Sequence, residues 1–306
     1  MNSQKLHIAW HPVYSHPLPE GHRFPMSKYD LIPEQLLYEG TINRSHLFAP
    51  LPCTDEIILL THTEEYLYKL KNQLLTQKEQ RQIGFPQSPE LTNREIIISQ
   101  GTIDCCLSAL KNGIALNVAG GTHHAFKDHG EGFCLLNDMA IASNYLRHHN
   151  LATKILIIDL DVHQGNGTAK IFGEVSDVFT FSMHGKNNYP FIKQKSDLDI
   201  ELPDGIHDKD YLRILYSHLP ELIKKVKPDF AFFLSGADIL ETDKFGKLKV
   251  TLRGCYQRDE MVLELLKQNN VPCTVTMGGG YSPQVRTIID AHCNTFRLAK
   301  KIYDLN

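Results

Sequence analysis

Short apolar segments alternate with longer segments of helical periodicity along most of the chain. Each apolar segment is nearly continuous in aliphatic or aromatic residues, which is typical of strands buried on both faces. This alternation predicts an α/β fold: a single three-layer domain, residues 1–306, with a central, mostly parallel sheet covered by helices on both faces. Six strands are predicted, at residues 5–10, 114–119, 154–160, 177–183, 229–236 and 272–279.

Capping signals predict where the helices between these strands begin. Thr92 and Glu95 form a possible capping box, and Ser282 followed by Pro283 is a typical start for the last helix. Residues 76–89, rich in Gln, Lys and Pro, predict a long surface loop. The predicted helices are 93–111, 137–149, 208–226, 252–269 and 282–303.

Composition and charge exclude several classes of function. Hydrophobic residues make up 42% of the 306 residues, and the net charge is -3, with 32 basic and 35 acidic residues and no basic run. Direct binding to nucleic acid is therefore not expected. Neither an apolar leader nor an apolar stretch near the 18 or so residues of a membrane helix is present, so we expect no membrane association and a cytoplasmic location.

Cysteine spacing argues against both disulfides and a thiolate metal site. The seven cysteines form no CxxC pair and are odd in number, so we expect buried, reduced thiols. The segment QGNGTAK (164–170) fits neither of the common phosphate-binding motifs, so a nucleotide-binding protein is not indicated.

Four polar motifs follow directly after predicted strands. In an open parallel sheet the carboxyl ends of the strands converge on one crevice, so a single site could use all four motifs. They are GGTHHA (120–125), DLDVHQGNG (159–167), SGAD (235–238) and GGGY (278–281).

Three of the residues in these motifs have the spacing of metal ligands. Asp161 and His163 lie two residues apart, which places both side chains on one face of an extended segment, and Asp238 can come from a neighbouring strand. Two carboxylates and one imidazole leave a fourth position open, as catalytic zinc sites do, although Fe²⁺ suits the same ligands. The alternative is that the aspartates cap helices or shape loops and that His163 is a hydrogen-bonded loop residue.

The remaining motif residues could supply a base and a hydrogen-bond donor. His123 or His124 could act as a general base, and Tyr281 could donate to an oxyanion, with the preceding glycines allowing the tyrosine to swing. The alternative is a pair of ordinary loop histidines beside a flexible glycine turn.

Six sequence blocks, taken in order, resemble the zinc-dependent histone deacetylase family, whose fold is arginase/deacetylase-like. Gln164, Asn166, SGADILETD (235–243) and GKL (246–248) resemble most closely the class IV branch and its bacterial relatives. The blocks are GGTHHA (120–125), GFCLLND (132–138), DLDVHQGNG (159–167), SMHG (182–185), LSGAD (234–238) and GGGY (278–281).

The resemblance implies a role for each catalytic side chain. His124 would act as general base and then acid, with Asn166 as its orienting partner in place of the aspartate of many family members. His123, oriented by Asp159, would assist electrostatically, and Tyr281 would polarise the acyl carbonyl during attack by water activated at the metal.

The resemblance also implies three sets of binding residues. The zinc ligands would be Asp161, His163 and Asp238. A structural K⁺ ion would be bound by Asp159, Asp161, His163, Ser182 and Met183. The channel for the acylated lysine would include Gly132, Phe133, Tyr189 and Leu248.

The expected activity is a zinc-dependent amidohydrolase that removes acetyl or longer acyl groups from lysine side chains of a protein or peptide. One alternative is a deacetylase of acetylpolyamines or other small amides, although the Leu248 position offers no acidic group to attract a second ammonium. An alternative of a different class is a protein that binds acyl-lysine without turning it over.

Overall fold

Eight strands form one sheet in the computed structural model, which describes residues 5–305 of the chain. The strand order is β2-β1-β3-β8-β7-β4-β5-β6, and every neighbouring pair is parallel. The predicted parallel α/β fold is confirmed. In chain order the strands are β1 (His7–Ala9), β2 (Leu47–Phe48), β3 (Ile114–Asn117), β4 (Ile155–Asp159), β5 (Val178–Gly185), β6 (Leu198–Leu202), β7 (Phe230–Ser235) and β8 (Cys273–Met277).

All six predicted strands are present, and the two that were not predicted lie at the edges of the sheet. β2 has only two residues, and β6 (LDIEL) is polar at alternate positions and mostly half-exposed, so neither has the continuous apolar pattern of the inner strands. In the inner strands β3, β4, β7 and β8 every residue is buried. These four strands hold the centre of the core.

Helices cover both faces of the sheet. One group consists of α5 and α6, which pack together, and the other is a series in which α8 packs on α9, α9 on α10 and α10 on α1. The helices are α1 (Lys28–Tyr38), α2 (Asp55–Ile58), α3 (Glu64–Lys71), α4 (Gln77–Ile83), α5 (Pro89–Asn112), α6 (Asp138–His148), α7 (Asn166–Phe172), α8 (Asp208–Val226), α9 (Leu252–Gln268) and α10 (Val285–Tyr303).

Two predicted helix starts and one predicted loop are wrong. α5 begins at Pro89, because the Ser88 side chain accepts a hydrogen bond from the Leu91 N–H at 3.0 Å, so the predicted capping box at Thr92 lies inside the helix. The predicted loop at 76–89 contains α4, whose start has a capping box of its own. α10 begins at Val285, after Gln284, which makes no side-chain cap.

Other features agree with the sequence or stay untested. The seven cysteines are buried and free. Within residues 5–305, no helix is both long enough and apolar enough to cross a membrane. The extent of the domain, residues 1–306, stays a prediction, because residues 1–4 and 306 lie outside the described part of the chain.

Candidate active site

The four polar motifs meet at one edge of the sheet. They follow β3, β4, β7 and β8, which are consecutive neighbours in the order β3-β8-β7-β4. All four strands run in the same direction, so their carboxyl ends lie side by side. The structure therefore brings the motifs together as the sequence predicts.

Asp161, His163 and Asp238 converge at this edge. The Nδ1 atom of His163 lies 3.0 Å from Oδ1 of Asp161 and 3.2 Å from Oδ2 of Asp238. One ligand atom from each of the three side chains lies within 4.8 Å of the others. No other group of three such side chains was found in residues 5–305. The donor set of two carboxylates and one imidazole fits a catalytic zinc ion.

Backbone N–H groups hold the two carboxylates in place. The Gly279 N–H donates to Oδ2 of Asp161 at 2.7 Å, and the Val162 N–H donates to Oδ1 of Asp238 at 2.9 Å. A Cβ atom on Gly279 would lie 1.9 Å from Oδ2 of Asp238. The sequence predicts that these glycines let Tyr281 swing. The geometry gives Gly279 a different role, because only glycine lets the backbone approach the metal ligands this closely.

The charges at this cluster favour a bound cation. Burial and the neighbouring charge of Asp161 raise the pKa of Asp238 to about 7. Burial opposes ionisation of His163, but its hydrogen bonds with the two aspartates raise its pKa to about 10. Two buried carboxylates thus attract positive charge to the point where they meet, and a divalent ion would neutralise both.

The two histidines of GGTHHA have different partners and opposite pKa shifts. Nδ1 of His123 lies 2.7 Å from Oδ2 of Asp159. Burial lowers the pKa of His123, but the charge of Asp159 and its hydrogen bond outweigh burial, so the pKa is raised. Burial and the charges of His123 and His163 hold the pKa of His124 well below its usual range. His124 is therefore the neutral histidine of the pair, and neighbouring groups with such divergent pKa values are typical of acid-base sites.

His124 contacts Asn166, and Asn166 has a further partner of its own. Nδ1 of His124 lies 2.7 Å from Oδ1 of Asn166, and Nδ2 of Asn166 donates to Oε1 of Glu131. Glu131 is 9% exposed and also accepts from Nε2 of Gln82 at 3.0 Å. Glu131 is not among the predicted site residues; its position directly before the GFCLLND block is the one signal for it in the sequence.

Two cavities meet at the site. The inner cavity has a volume of about 40 Å³ and the outer one, which opens to solvent, about 460 Å³. The residues that line both cavities are His124, Gly132, Phe133, His163 and Tyr281.

A family comparison decides the class of protein. The Histone deacetylase domain family matches residues 22–296. The chain belongs to the histone deacetylase family. Membership supports a hydrolytic deacetylase that acts on lysine or another amide.

Relatives in this family match nearly the whole chain. An uncharacterized protein from Picosynechococcus sp. is 43% identical over 296 residues, which cover 97% of this chain and 99% of the relative. Histone deacetylase 2 of Arabidopsis thaliana is 28% identical over 286 residues, which cover 90% of this chain and 74% of the relative.

Solved structures with lower identity agree in fold. The HDA15 HD domain has a TM-score of 0.83 at 21% identity, covering 98% of this chain and 90% of that one. An HDAC homologue from Aquifex aeolicus has a TM-score of 0.82 at 24% identity, covering 99% and 85%. At this level of identity the likeness shows the fold alone.

Of the four residues expected to line the acyl-lysine channel, three lie at the outer cavity. Gly132, Phe133 and Tyr189 line it. Gly132 has a φ of +56°, and a Cβ there would lie 2.6 Å from the His124 ring, so a side chain at this position would displace the histidine.

Leu248 is the exception among the channel residues. It is 1% exposed and is not among the residues that line the two cavities described above. Lys247 and Lys249 on either side of it are exposed, so the alternation of an extended segment turns Leu248 into the core. Lys247 lines the cavity in its place.

The residues expected at a K⁺ site lie on two neighbouring strands, β4 and β5, and in the loop that follows β4. Ser182 on β5 is the register partner of Asp159 at the end of β4, and Met183 follows it. Oδ1 of Asp159 accepts a hydrogen bond from the Asp161 N–H at 3.2 Å, while Oδ2 contacts His123. Asp159 therefore links His123 to the backbone of the loop after β4.

Proposed function

We propose that this protein is a metal-dependent amidohydrolase of the class IV type that removes acetyl groups from lysine side chains. The observation that carries the proposal is the junction of the two cavities, which His124, His163 and Tyr281 line together. Asp161 lines the inner cavity, and Asp238 completes the cluster with Asp161 and His163. A protein that only bound acyl-lysine would not need a metal cluster and a base at the same point.

The cluster would hold Zn²⁺, or Fe²⁺, through one carboxylate oxygen from each aspartate and Nδ1 of His163. When bound, such an ion supplies a Lewis acid that polarises an acyl carbonyl and lowers the pKa of water. Asp159, Asp161, His163, Ser182 and Met183 would hold a K⁺ ion behind the site with a structural role.

His124 moves the proton in this mechanism. Its Nδ1 is hydrogen-bonded to the Asn166 carbonyl oxygen, which only accepts, so Nδ1 carries the hydrogen and Nε2 is free to take a proton from the attacking water. The same Nε2 then delivers that proton to the leaving amine. The raised pKa of His123 favours its protonated form, which would place positive charge beside the reacting centre.

Glu131 fixes which way the Asn166 amide points. Because a carboxylate can only accept, it holds the Asn166 amide nitrogen and leaves the carbonyl oxygen facing His124. We infer that Glu131 is a positioning residue that acts on His124 through Asn166. The negative charge that stabilises a protonated His124 therefore lies on Glu131, one side chain further from His124 than an aspartate at position 166 would place it.

Replacing Asn166 and Glu131 is expected to shift the acidic limb of the pH profile of kcat/KM in opposite directions. Asn166→Asp places a carboxylate directly on His124 and raises its pKa, so the limb should move about one unit higher in pH. Glu131→Gln removes the distant charge, so the limb should move lower. Steady-state rates across pH measure both shifts.

The double variant Glu131→Gln/Asn166→Asp serves as the control for repulsion between two adjacent carboxylates. It keeps one carboxylate, now next to His124, and should show the upward shift of the limb without loss of thermal stability. A limb that stays in place in all three variants would remove His124 as the base.

The size of the inner cavity favours acetyl over longer acyl groups. Asp161 and His163 line part of this cavity of about 40 Å³, so a metal ion and the acyl group would share it. A water needs about 10–15 Å³, so the remaining space suits only a short acyl group. A myristoyl chain would need this cavity to open.

An acyl-chain series tests the function. Purified protein should release acetate from acetyl-lysine peptides fastest, lose that activity after chelation and regain it with Zn²⁺, with progressively slower turnover of longer acyl chains. Activity that survives chelation on every substrate contradicts the metal mechanism, and a complete lack of turnover with zinc present favours a binding protein.

A further inference from the structure

The mouth of the outer cavity is lined by basic residues and by no acidic residue. Four cationic side chains contribute to the lining, from three separate parts of the chain: the segment before α1, the helix α4, and the loop between β7 and α9. All four are exposed. They are Arg23, Arg81, Lys244 and Lys247.

These charges are not neutralised by neighbouring acids. Within residues 5–305 none of the four forms an ion pair; the Arg23 guanidinium lies 5.2 Å over the Phe245 ring, and Arg81 donates to the uncharged Gln77 amide at 3.3 Å. Elsewhere on the surface basic side chains do pair, as Lys71 does with Asp55. None of the four charges at the mouth is therefore compensated by a direct ion pair.

Two carboxylates that contact residues of the outer cavity already accept hydrogen bonds. Glu131 accepts from Asn166 and Gln82. Asp243 accepts from the N–H groups of Tyr281 at 2.6 Å and of Phe245 at 2.8 Å. Both carboxylates are turned toward donors of this chain rather than toward an incoming ligand.

The basic mouth is not a consequence of a basic protein. The chain has a net charge of -3, so clustering four unpaired cations around one opening departs from the overall balance. Charge of one sign around a concave opening concentrates ligands of the opposite sign and repels those of the same sign.

We propose that the substrate carries negative charge beside its acylated amine. This inference rests on the proposed deacetylase function and narrows its substrate class. The shared chemistry is a carboxylate close to the acyl-lysine, either Asp or Glu side chains in a protein segment or the carboxylate of a small acylated amine. Lysine-rich segments such as basic tails, and acetylated polyamines, would place ammonium groups against the four cations.

Matched substrates test the charge preference. Peptides with one central acetyl-lysine would carry Asp and Glu, Asn and Gln, or Lys and Arg on both sides. We expect kcat/KM to fall in that order, by about tenfold from the acidic to the basic peptide, and the difference to shrink at high salt, where the screening length falls to about 3 Å at 1 M. Equal rates, or faster turnover of the basic peptide, would overturn the proposal.

A small-molecule pair identifies the source of the carboxylate. Nα-blocked acetyl-lysine with a free carboxylate is compared with its carboxamide, and with an acetylated polyamine. If the free acid is preferred over the carboxamide by as much as the acidic peptide is preferred over the basic one, the substrate is a small acylated amine. If only the peptides show a preference, the substrate is an acidic protein segment. Fastest turnover of the polyamine would contradict both.

A charge-reversal variant shows that the mouth is responsible. Lys244→Glu/Lys247→Glu should bring the acidic and basic peptides to equal rates or reverse their order. The control Lys154→Glu/Lys224→Glu changes net charge equally at two exposed positions, before β4 and at the end of α8, and should keep the wild-type order. A variant that keeps the wild-type order would show that these two lysines do not set it.

Direct binding separates this proposal from the deacetylase function. Fluorescence anisotropy of the labelled acidic and basic peptides should give tighter binding of the acidic one whether or not turnover occurs. If no substrate is hydrolysed, the proposed function fails, and the order of binding still decides the charge preference.

Discussion

Asp238→Asn is expected to abolish stoichiometric metal binding and to lower kcat/KM about 10³-fold or more. The amide keeps the shape of the side chain but supplies no negative charge to the cluster with Asp161 and His163. Lewis-acid stabilisation is worth several kcal/mol, and roughly 1.4 kcal/mol corresponds to a factor of ten in rate. Metal content per chain and steady-state rates on an acetyl-lysine peptide measure the two effects.

Thermal unfolding of the chelated proteins distinguishes a lost ligand from a lost fold. The pKa of Asp238 is raised to about 7 by burial and by Asp161, so in the metal-free protein this group favours folding only while it is protonated. That contribution is present at low pH and is lost as pH rises through about 7. The Asn variant has no such loss, so above pH 7 its Tm should equal or exceed that of chelated wild type. A lower Tm would mean that the substitution destabilises the fold as well as removing a metal ligand.

The ends of the inner strands are the part of this site that sequence predicts best. The apolar run before Asp159 reads as a strand buried on both faces, and parallel strands place everything that follows their carboxyl ends at one edge. The relation of Asp161 and His163 to Asp238 therefore follows from the order of the strands alone.

The start of a helix is predicted poorly where several capping signals lie close together in the sequence. Ser88 and Thr92 are both good caps, and Ser88 precedes a proline that suits the first helical position, so the helix begins four residues earlier than predicted. The Thr76 capping box is hard to recognise in the sequence because its helix, α4, is short and mostly polar. The wrong start of α5 does not affect the site. The unpredicted helix α4 does, because it contributes Arg81 and Gln82 to the outer cavity.

The sequence does not reveal contacts between residues that lie far apart along the chain. Glu131 meets Asn166 across 35 residues, and the basic mouth is assembled from segments more than 200 residues apart in the chain. No periodicity connects such positions, because loop paths depend on tertiary packing rather than on local preference. Leu248 shows the same limit, since a one-residue offset in an extended loop exchanges it for Lys247.

Tyr281 is positioned to donate a hydrogen bond at the junction of the cavities. Its ring packs 4.9 Å from Phe245 and 6.5 Å from His163, and its N–H is held by Asp243. Burial and the charges of Asp161 and Asp238 raise its pKa well above the usual range, so the phenol stays protonated. Among residues 5–305 the hydroxyl has no hydrogen-bond partner, which leaves it available to the oxyanion that forms on the acyl group.

Tyr281→Phe is therefore expected to lower kcat by about 10²–10³-fold, the usual cost of removing one oxyanion donor, with little change in KM. The aromatic packing is preserved, so Tm and metal content should match wild type. Tyr216→Phe, at a tyrosine that is 65% exposed on α8, is the matched control and should keep full activity. If Tyr281→Phe raised KM and left kcat unchanged, the hydroxyl would act in substrate binding and the oxyanion would be stabilised by the metal cluster alone.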